Sequence, residues 1–192
     1  MGVFDELWEE YDSWYDRNRE IFERELELVR RNIPASAFGL EVGVGSGRFA
    51  KELGFIGIDI SENMLKAARR RGVEVVRGDA LKLPFKRVFD VVLFAFTICF
   101  LDRPVEALKE ARRVLVDGGI AVVCFVPEGR LAEEYRRRDS PFYREARFYT
   151  VEEVREMLHS AGFKTLREDY LDLKYGKDVA LVAGFNAAGF LI

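Results

Sequence analysis

At 192 residues, 49% of them apolar and 33% charged, the chain is long enough to bury one substantial core and suits a single soluble domain. A net charge of -3 gives no general attraction to nucleic acid or to an anionic membrane. Uncharged apolar runs such as residues 91–101 are too short to span a bilayer, and no basic leader precedes an apolar stretch, so a cytoplasmic protein is expected.

The two cysteines, Cys99 and Cys124, stand far apart in apolar surroundings, and His159 is the sole histidine. With no Cys-x-x-Cys pair, no zinc site of the usual kind and no metal is expected, and both thiols read as small hydrophobes. Arg and Glu dominate the charged residues, and glutamine is absent. That bias suggests a thermophilic source.

From the start of the chain, Phe4, Leu7, Trp8, Tyr11, Trp14 and Tyr15 recur at spacings of three and four, as one helix face requires. This stripe is either packed core or a helix lying across a ligand mouth, with Tyr11, Trp14 or Tyr15 touching the ligand. A second helix, residues 19–31, carries Phe22, Leu26 and Val29 on one face and ends at Asn32-Ile33-Pro34. Residues 38–42 form a short apolar strand. Gly43, Gly45 and Gly47 follow it directly, ahead of a helix-compatible stretch at 48–53. Glycine there admits positive φ and lets backbone approach a ligand, while free N–H groups at a helix start suit a polar or anionic group. The dinucleotide fingerprint fails, because its third glycine would fall at Arg48.

Residues 55–59 read as a second strand with Asp59 at its C-terminal end. In an open α/β sheet that end faces the ligand crevice, where a carboxylate can accept two hydrogen bonds from vicinal ribose hydroxyls. Ser61 caps a helix over 62–71, closed by Gly72. A third strand, 73–77, leads into Gly78-Asp79-Ala80. Asp79 is either a turn former or an acceptor for an adenine amine, with Ile60 and Ala80 flanking the ring. Residues 88–94, apolar but for Asp90, are too apolar to be half exposed and suit a central strand, and they run into residues 95–100. Pro104 opens a helix to Leu115, with Asp102 ahead of it; Asp117-Gly118-Gly119 then turns the chain into a fifth strand, 120–126. Strand and helix alternate without repeat or linker, which is a doubly wound parallel sheet.

Residues 127–149 break the rhythm, mixing six arginines with Tyr135, Phe142, Tyr143, Phe148 and Tyr149. This is a solvated helix face or a lid over substrate, in which arginine pairs with an acidic group. Thr150 and Glu153 form a capping box for a helix at 151–161, closed by Gly162. His159, late in that helix, reads as a surface residue. Residues 163–173 and 179–186 read as a closing hairpin.

Leu-Glu-Val-Gly-Val-Gly-Ser-Gly at 40–47 resembles motif I of the class I S-adenosylmethionine-dependent methyltransferases. Gly57-Ile58-Asp59-Ile60-Ser61 is similar to motif II, Gly78-Asp79-Ala80 to motif III and Phe89-Asp90-Val91-Val92 to motif IV. The stretch from Glu106 through Leu115 to Gly119 follows as it does in that family, closest in style to the ubiquinone and menaquinone C-methyltransferases. The resemblance implies a Rossmann-like α/β fold, a doubly wound, mostly parallel seven-stranded sheet with helices on both faces and an antiparallel last strand. It also implies a single methyltransferase domain over 1–192: a helical cap at 1–33, a cofactor-binding core at 38–126, a candidate substrate lid at 127–150, and a helix and hairpin at 151–192.

By the same resemblance, the cofactor is S-adenosyl-L-methionine, leaving as S-adenosyl-L-homocysteine. Glu41 belongs to motif I; Gly43, Gly45 and Gly47 line the methionine portion, Asp59 the ribose, and Ile60, Met64, Asp79 and Ala80 the adenine side. Ala95 and Phe96 lie near the sulfonium, and Tyr11, from the N-terminal helix read above, is a further candidate cofactor contact. Trp14, Thr97, Cys99, Phe100, Tyr143 and Arg147 are the candidate acceptor-binding residues, suiting a small, partly aromatic or acidic molecule. No side chain is singled out as a general base. The expected partner is a small-molecule methyl acceptor, not nucleic acid or membrane, for a monomer or homodimer. Only twelve residues separate Gly47 from Asp59, a shorter first helix than the family's. Two alternatives share the architecture: a nicotinamide-dependent oxidoreductase, and a methyltransferase-like protein that binds the cofactor without turnover.

Overall fold

A computed structural model describes residues 2–138 and 140–187. Two short helices open the chain, α1 (Val3–Glu6) and α2 (Trp8–Arg17), followed by α3 (Arg19–Arg30). The expected single helix at 4–15 is thus broken at Leu7, whose backbone leaves the helical region. The break has a tertiary cause, since Asp5 Oδ1 accepts hydrogen bonds from Ser61 Oγ (2.7 Å) and Asn63 N (3.2 Å) and holds α1 against another helix.

The sheet core then runs β1 (Gly39–Val42), α4 (Arg48–Leu53), β2 (Ile56–Asp59), α5 (Glu62–Arg70), β3 (Val75–Arg77) and β4 (Phe89–Ala95). A single 3-10 turn (Ile98–Phe100) precedes α6 (Pro104–Val114) and β5 (Leu115–Phe125). After α7 (Arg130–Arg137) and α8 (Pro141–Arg144), α9 (Val151–Ser160), β6 (Lys164–Leu171) and β7 (Val179–Phe185) complete the domain. The N-cap of α6 is Arg103, without a side-chain bond. One local expectation changes. The fifth strand starts at Leu115, paired with Phe89, so Asp117-Gly118-Gly119 lies within it across a register shift. The two capping expectations hold: Ser61 accepts from Met64 N, and Thr150 with Glu153 forms a full capping box.

The seven strands lie in the order β3-β2-β1-β4-β5-β7-β6, parallel except where β7 runs antiparallel to both neighbours. β4 explains the centre: Val91 and Leu93 enter the core layer shared with Leu28, Val29, Phe49 and Leu65, while Val92 and Phe94 enter the opposite layer with Leu108, Val114 and Leu158. Both faces of β4 are covered from Val91 onward, so the apolar run 91–95 is required rather than incidental, and the one charged residue, Asp90, is exposed. Truncating the fully buried Phe94 to alanine would cost about 3–5 kcal/mol. Strand order reverses between β1 and β4, and crevices at such switch points open at the C-terminal strand ends. Among the described residues no helix is long and apolar enough to cross a membrane, and no three His, Cys, Asp or Glu side chains cluster to hold a metal ion.

Candidate functional site

The turn after β1 uses its three glycines in three ways, each with positive φ. At Gly43, a Cβ would stand 2.3 Å from Thr97 Cγ2, so the position lets the β1 and β4 loops touch. Gly45 lines a cavity, and a Cβ there would meet only Met64 Sδ, at 3.9 Å. At Gly47 a Cβ would fall 2.9 Å from Ala68 Cβ; this glycine seats α4 on α5 and does not reach the cavity. Glu41 does not reach it either. Buried beneath the turn, its carboxyl accepts from Ala50 N in the first turn of α4, and burial pushes its pKa well above the usual carboxylate range.

Asp59 ties two backbone turns together. Its Oδ2 accepts from Gly45 N (2.8 Å) and its Oδ1 from Ser61 N (2.9 Å). Burial raises its pKa, and those amide bonds pull the other way. A carboxylate offers about four acceptor positions, so these bonds leave acceptor capacity for a ligand. The cavity it borders has a volume of about 600 Å³ and brings together Tyr11, Gly43, Gly45, Asp59, Ile60, Met64, Asp79, Ala80, Ala95, Phe96 and Thr97 of the expected residues. Asp79 is a turn former as well, since its Oδ1 accepts from Leu81 N at 2.8 Å. Phe96, at the end of β4, holds φ of 55°, a left-handed conformation costly for an aromatic residue.

The N-terminal segment closes this cavity. Phe4 and Asp5 line it from above, and Asp12 fastens the strap to the glycine turn, accepting from Ser46 Oγ (2.5 Å) and Arg48 Nε (2.8 Å) and pairing with Arg71. The Asp12 and Arg48 side chains are only 13% and 15% exposed, so this pairing is far less screened than a surface ion pair. The aromatic face of α2 divides between the two expected roles: Tyr11 lines the cavity, while Tyr15 packs against the core layer of Leu28, Val29 and Phe49.

A second chamber, about 250 Å³, adjoins the first and shares Tyr11, Phe96 and Phe100 with it. Trp14, Cys99, Phe100 and Tyr143 of the expected acceptor residues line it, together with Tyr15, Tyr135, Phe142 and Phe148. Burial pushes the Cys99 thiol up to about 12, so it is no nucleophile at neutral pH. Thr97 faces the first cavity instead. Arg147 lines neither chamber: its amide donates to Cys99 O (2.8 Å), and its guanidinium lies 3.9 Å from Asp102 at the surface. In the 127–149 segment the two expected behaviours divide by residue type. Arg136 pairs with Glu128 and Arg138 with Glu134, while the aromatic side chains turn inward. His159 is exposed on α9, away from both chambers. Glu25 also lines the second chamber. The sequence did carry its signal, an acid three residues after Phe22 and four before Val29, inside the apolar stripe of α3.

A family model described as "Methyltransferase domain" matches residues 40–123. An uncharacterized protein of Methanocaldococcus jannaschii is 38% identical across 100% of this chain and 97% of its own length. The malonyl-[acyl-carrier protein] O-methyltransferase of Geobacter sulfurreducens is 31% identical, covering 88% of this chain and 72% of that protein. A crystal structure of a SAM-dependent methyltransferase from Thermotoga maritima, described as a possible histamine N-methyltransferase, is 36% identical. It matches with a TM-score of 0.87, covering 96% of this chain and 98% of that one.

Proposed function

This chain belongs to the class I S-adenosylmethionine-dependent methyltransferases, and from that premise we propose that the larger cavity holds S-adenosylmethionine while the aromatic chamber takes a small-molecule methyl acceptor. The observation that carries this is the junction: one wall, made of Tyr11, Phe96 and Phe100, belongs to both chambers. The cofactor supplies a methyl group already activated on a sulfonium, so transfer is an in-line displacement that needs alignment and dryness more than proton chemistry.

The residues suit that cofactor. Gly45 leaves backbone bare at the cavity wall, with room where a Cβ would stand. Asp59 keeps acceptor positions for two ribose hydroxyls, and Ile60, Met64, Asp79 and Ala80 offer apolar contact and one carboxylate to an adenine. Gly43 and Gly47 contribute through the shape of the turn, and Glu41 by propping α4 from beneath. Ring faces of Tyr11, Phe96 and Phe100 stabilise positive charge at the junction by about 0.5–2 kcal/mol each. In this division, residues 1–33 are the cap, 38–126 the cofactor core, 127–150 the acceptor-side lid, and 151–192 the closing helix and hairpin; 1, 139 and 188–192 lie outside the described residues. Trp14, Cys99, Phe100 and Tyr143 then surround the acceptor. The Thermotoga relative's description names a small molecule, which supports the same class of acceptor.

The test supplies methyl-labelled S-adenosylmethionine to the protein together with a cell extract split by ultrafiltration. Label should enter the small-molecule fraction. Label confined to protein or nucleic acid would overturn the acceptor class.

A further inference from the structure

Glu25 sits within the aromatic chamber, and the cofactor side makes no use of it. It lies midway along α3, is 5% exposed and lines the chamber. Among the described residues it has no hydrogen-bond or ion-pair partner, and burial pushes its carboxyl up to about 8. An unpartnered carboxylate in an apolar enclosure is costly unless something binds it. The other charges around the chamber are engaged elsewhere. Arg138 pairs with Glu134 at 2.6 Å and lies over the Tyr135 ring, while Arg17 and Glu10 are exposed, Arg17 bonding Ser13 Oγ at 2.8 Å. The titratable groups facing Glu25 are the hydroxyls of Tyr11 and Tyr15 on α2, Tyr135 on α7 and Tyr143 on α8, and the Cys124 thiol of β5; burial shifts all of them upward, so they stay neutral at physiological pH.

Ring faces attract cations, and a buried carboxylate attracts a charged N–H donor. An acidic acceptor would find no matching charge, since Glu25 offers it none, Arg138 is paired with Glu134 and Arg17 is exposed. We propose that the acceptor is an amine, and that Glu25 binds its ammonium group and takes the proton that the nitrogen must lose before it can attack. This rests on the chamber being the acceptor site. An ammonium nitrogen has no lone pair, so one proton passes first to the Glu25 carboxylate. The freed lone pair forms the new N–C bond as the C–S bond breaks, its electron pair remaining on sulfur. The product leaves as an N-methylammonium ion, and Glu25 returns its proton to solvent.

The experiment titrates the full chain, in the presence of S-adenosylhomocysteine, with 2-phenylethylamine, 2-phenylethanol and 3-phenylpropionate, following tryptophan fluorescence. The amine should bind at least about tenfold more tightly than the other two. Its affinity should rise as pH climbs toward the Glu25 range near 8. Glu25→Gln should lose both the preference and the rise while binding S-adenosylhomocysteine as the wild type does, and Glu25→Asp should recover part of the rise. The proposal is overturned if the amine binds no better than the alcohol, including the case in which neither binds, or if Glu25→Gln keeps the amine preference and its pH profile. Failure of S-adenosylhomocysteine to bind the wild type would remove the cofactor site, and this proposal with it.

Discussion

Replacing Glu25 with glutamine tests the burial of that carboxyl directly, whatever the acceptor. Glutamine keeps the size of the side chain and removes its proton chemistry. The folded chain holds the Glu25 proton up to about pH 8, whereas an ordinary glutamate releases it near 4.5. Across that window the folded state binds more protons than the unfolded state, so wild-type stability falls as pH rises. Each pH unit removes about 1.4 kcal/mol, which gives about 3 kcal/mol by pH 7 and about 5 kcal/mol once the folded group has ionised. Glu25→Gln lacks this loss. Denaturant unfolding of both proteins should show similar stabilities near pH 4.5, with the variant ahead by the stated amounts at higher pH. A difference that stays constant from pH 4.5 to 8 would refute the reasoning, because it would mean that Glu25 ionises in the folded chain as it does in water.

The strap and the cofactor cavity give further expectations. Asp59→Ala should weaken S-adenosylhomocysteine binding by about 1.5–3 kcal/mol, the scale of hydrogen bonds to a charged group, read by calorimetry; unchanged affinity would move the ribose site elsewhere. Gly43→Ala should fail to fold or melt far earlier, because its Cβ would collide with Thr97. Gly45→Ala should cost only about 1 kcal/mol of stability, for alanine in a left-handed conformation, yet lose most ligand affinity; equal effects at the two glycines in melting and binding assays would contradict the division. Asp12→Asn takes from Arg71 its carboxylate partner and leaves Arg48 paired with Asp16 alone, so it should destabilise by about 2–4 kcal/mol and speed proteolysis of residues 3–17. A variant as resistant to protease as the wild type would show that the strap is held by its aromatic side chains alone.

The order of strands and helices was legible because both of its signals are local. The apolar run of β4 from Val91 and the glycine, serine and threonine punctuation of α4, α5 and α9 state their own positions. Residues at strand ends were legible for a related reason: in this topology the C-terminal ends of β1, β2 and β4 converge on one crevice, so Gly43, Asp59 and Ala95 had to meet. What failed was side-chain direction within a motif. Glu41 and Gly47 flank cavity residues in sequence, but the pleat turns Glu41 under the turn, and α4 packing claims Gly47. Arg147 stood among aromatic residues that do line the chamber, and only the tertiary path of the loop shows that its backbone amide bonds Cys99 while its guanidinium turns to Asp102 at the surface. The break at Leu7 and the carboxyl of Glu25 depend on contacts between segments, which no periodicity reports.

The central claim is that this cavity binds the adenosyl cofactor through the glycine turn and Asp59. Calorimetric titration of the purified protein with S-adenosylhomocysteine, with NADH as the control and carried-over cofactor first excluded by mass spectrometry, tests it most directly. One-to-one binding of S-adenosylhomocysteine and none of NADH is the predicted result. Binding of NADH, or of neither ligand, would contradict it.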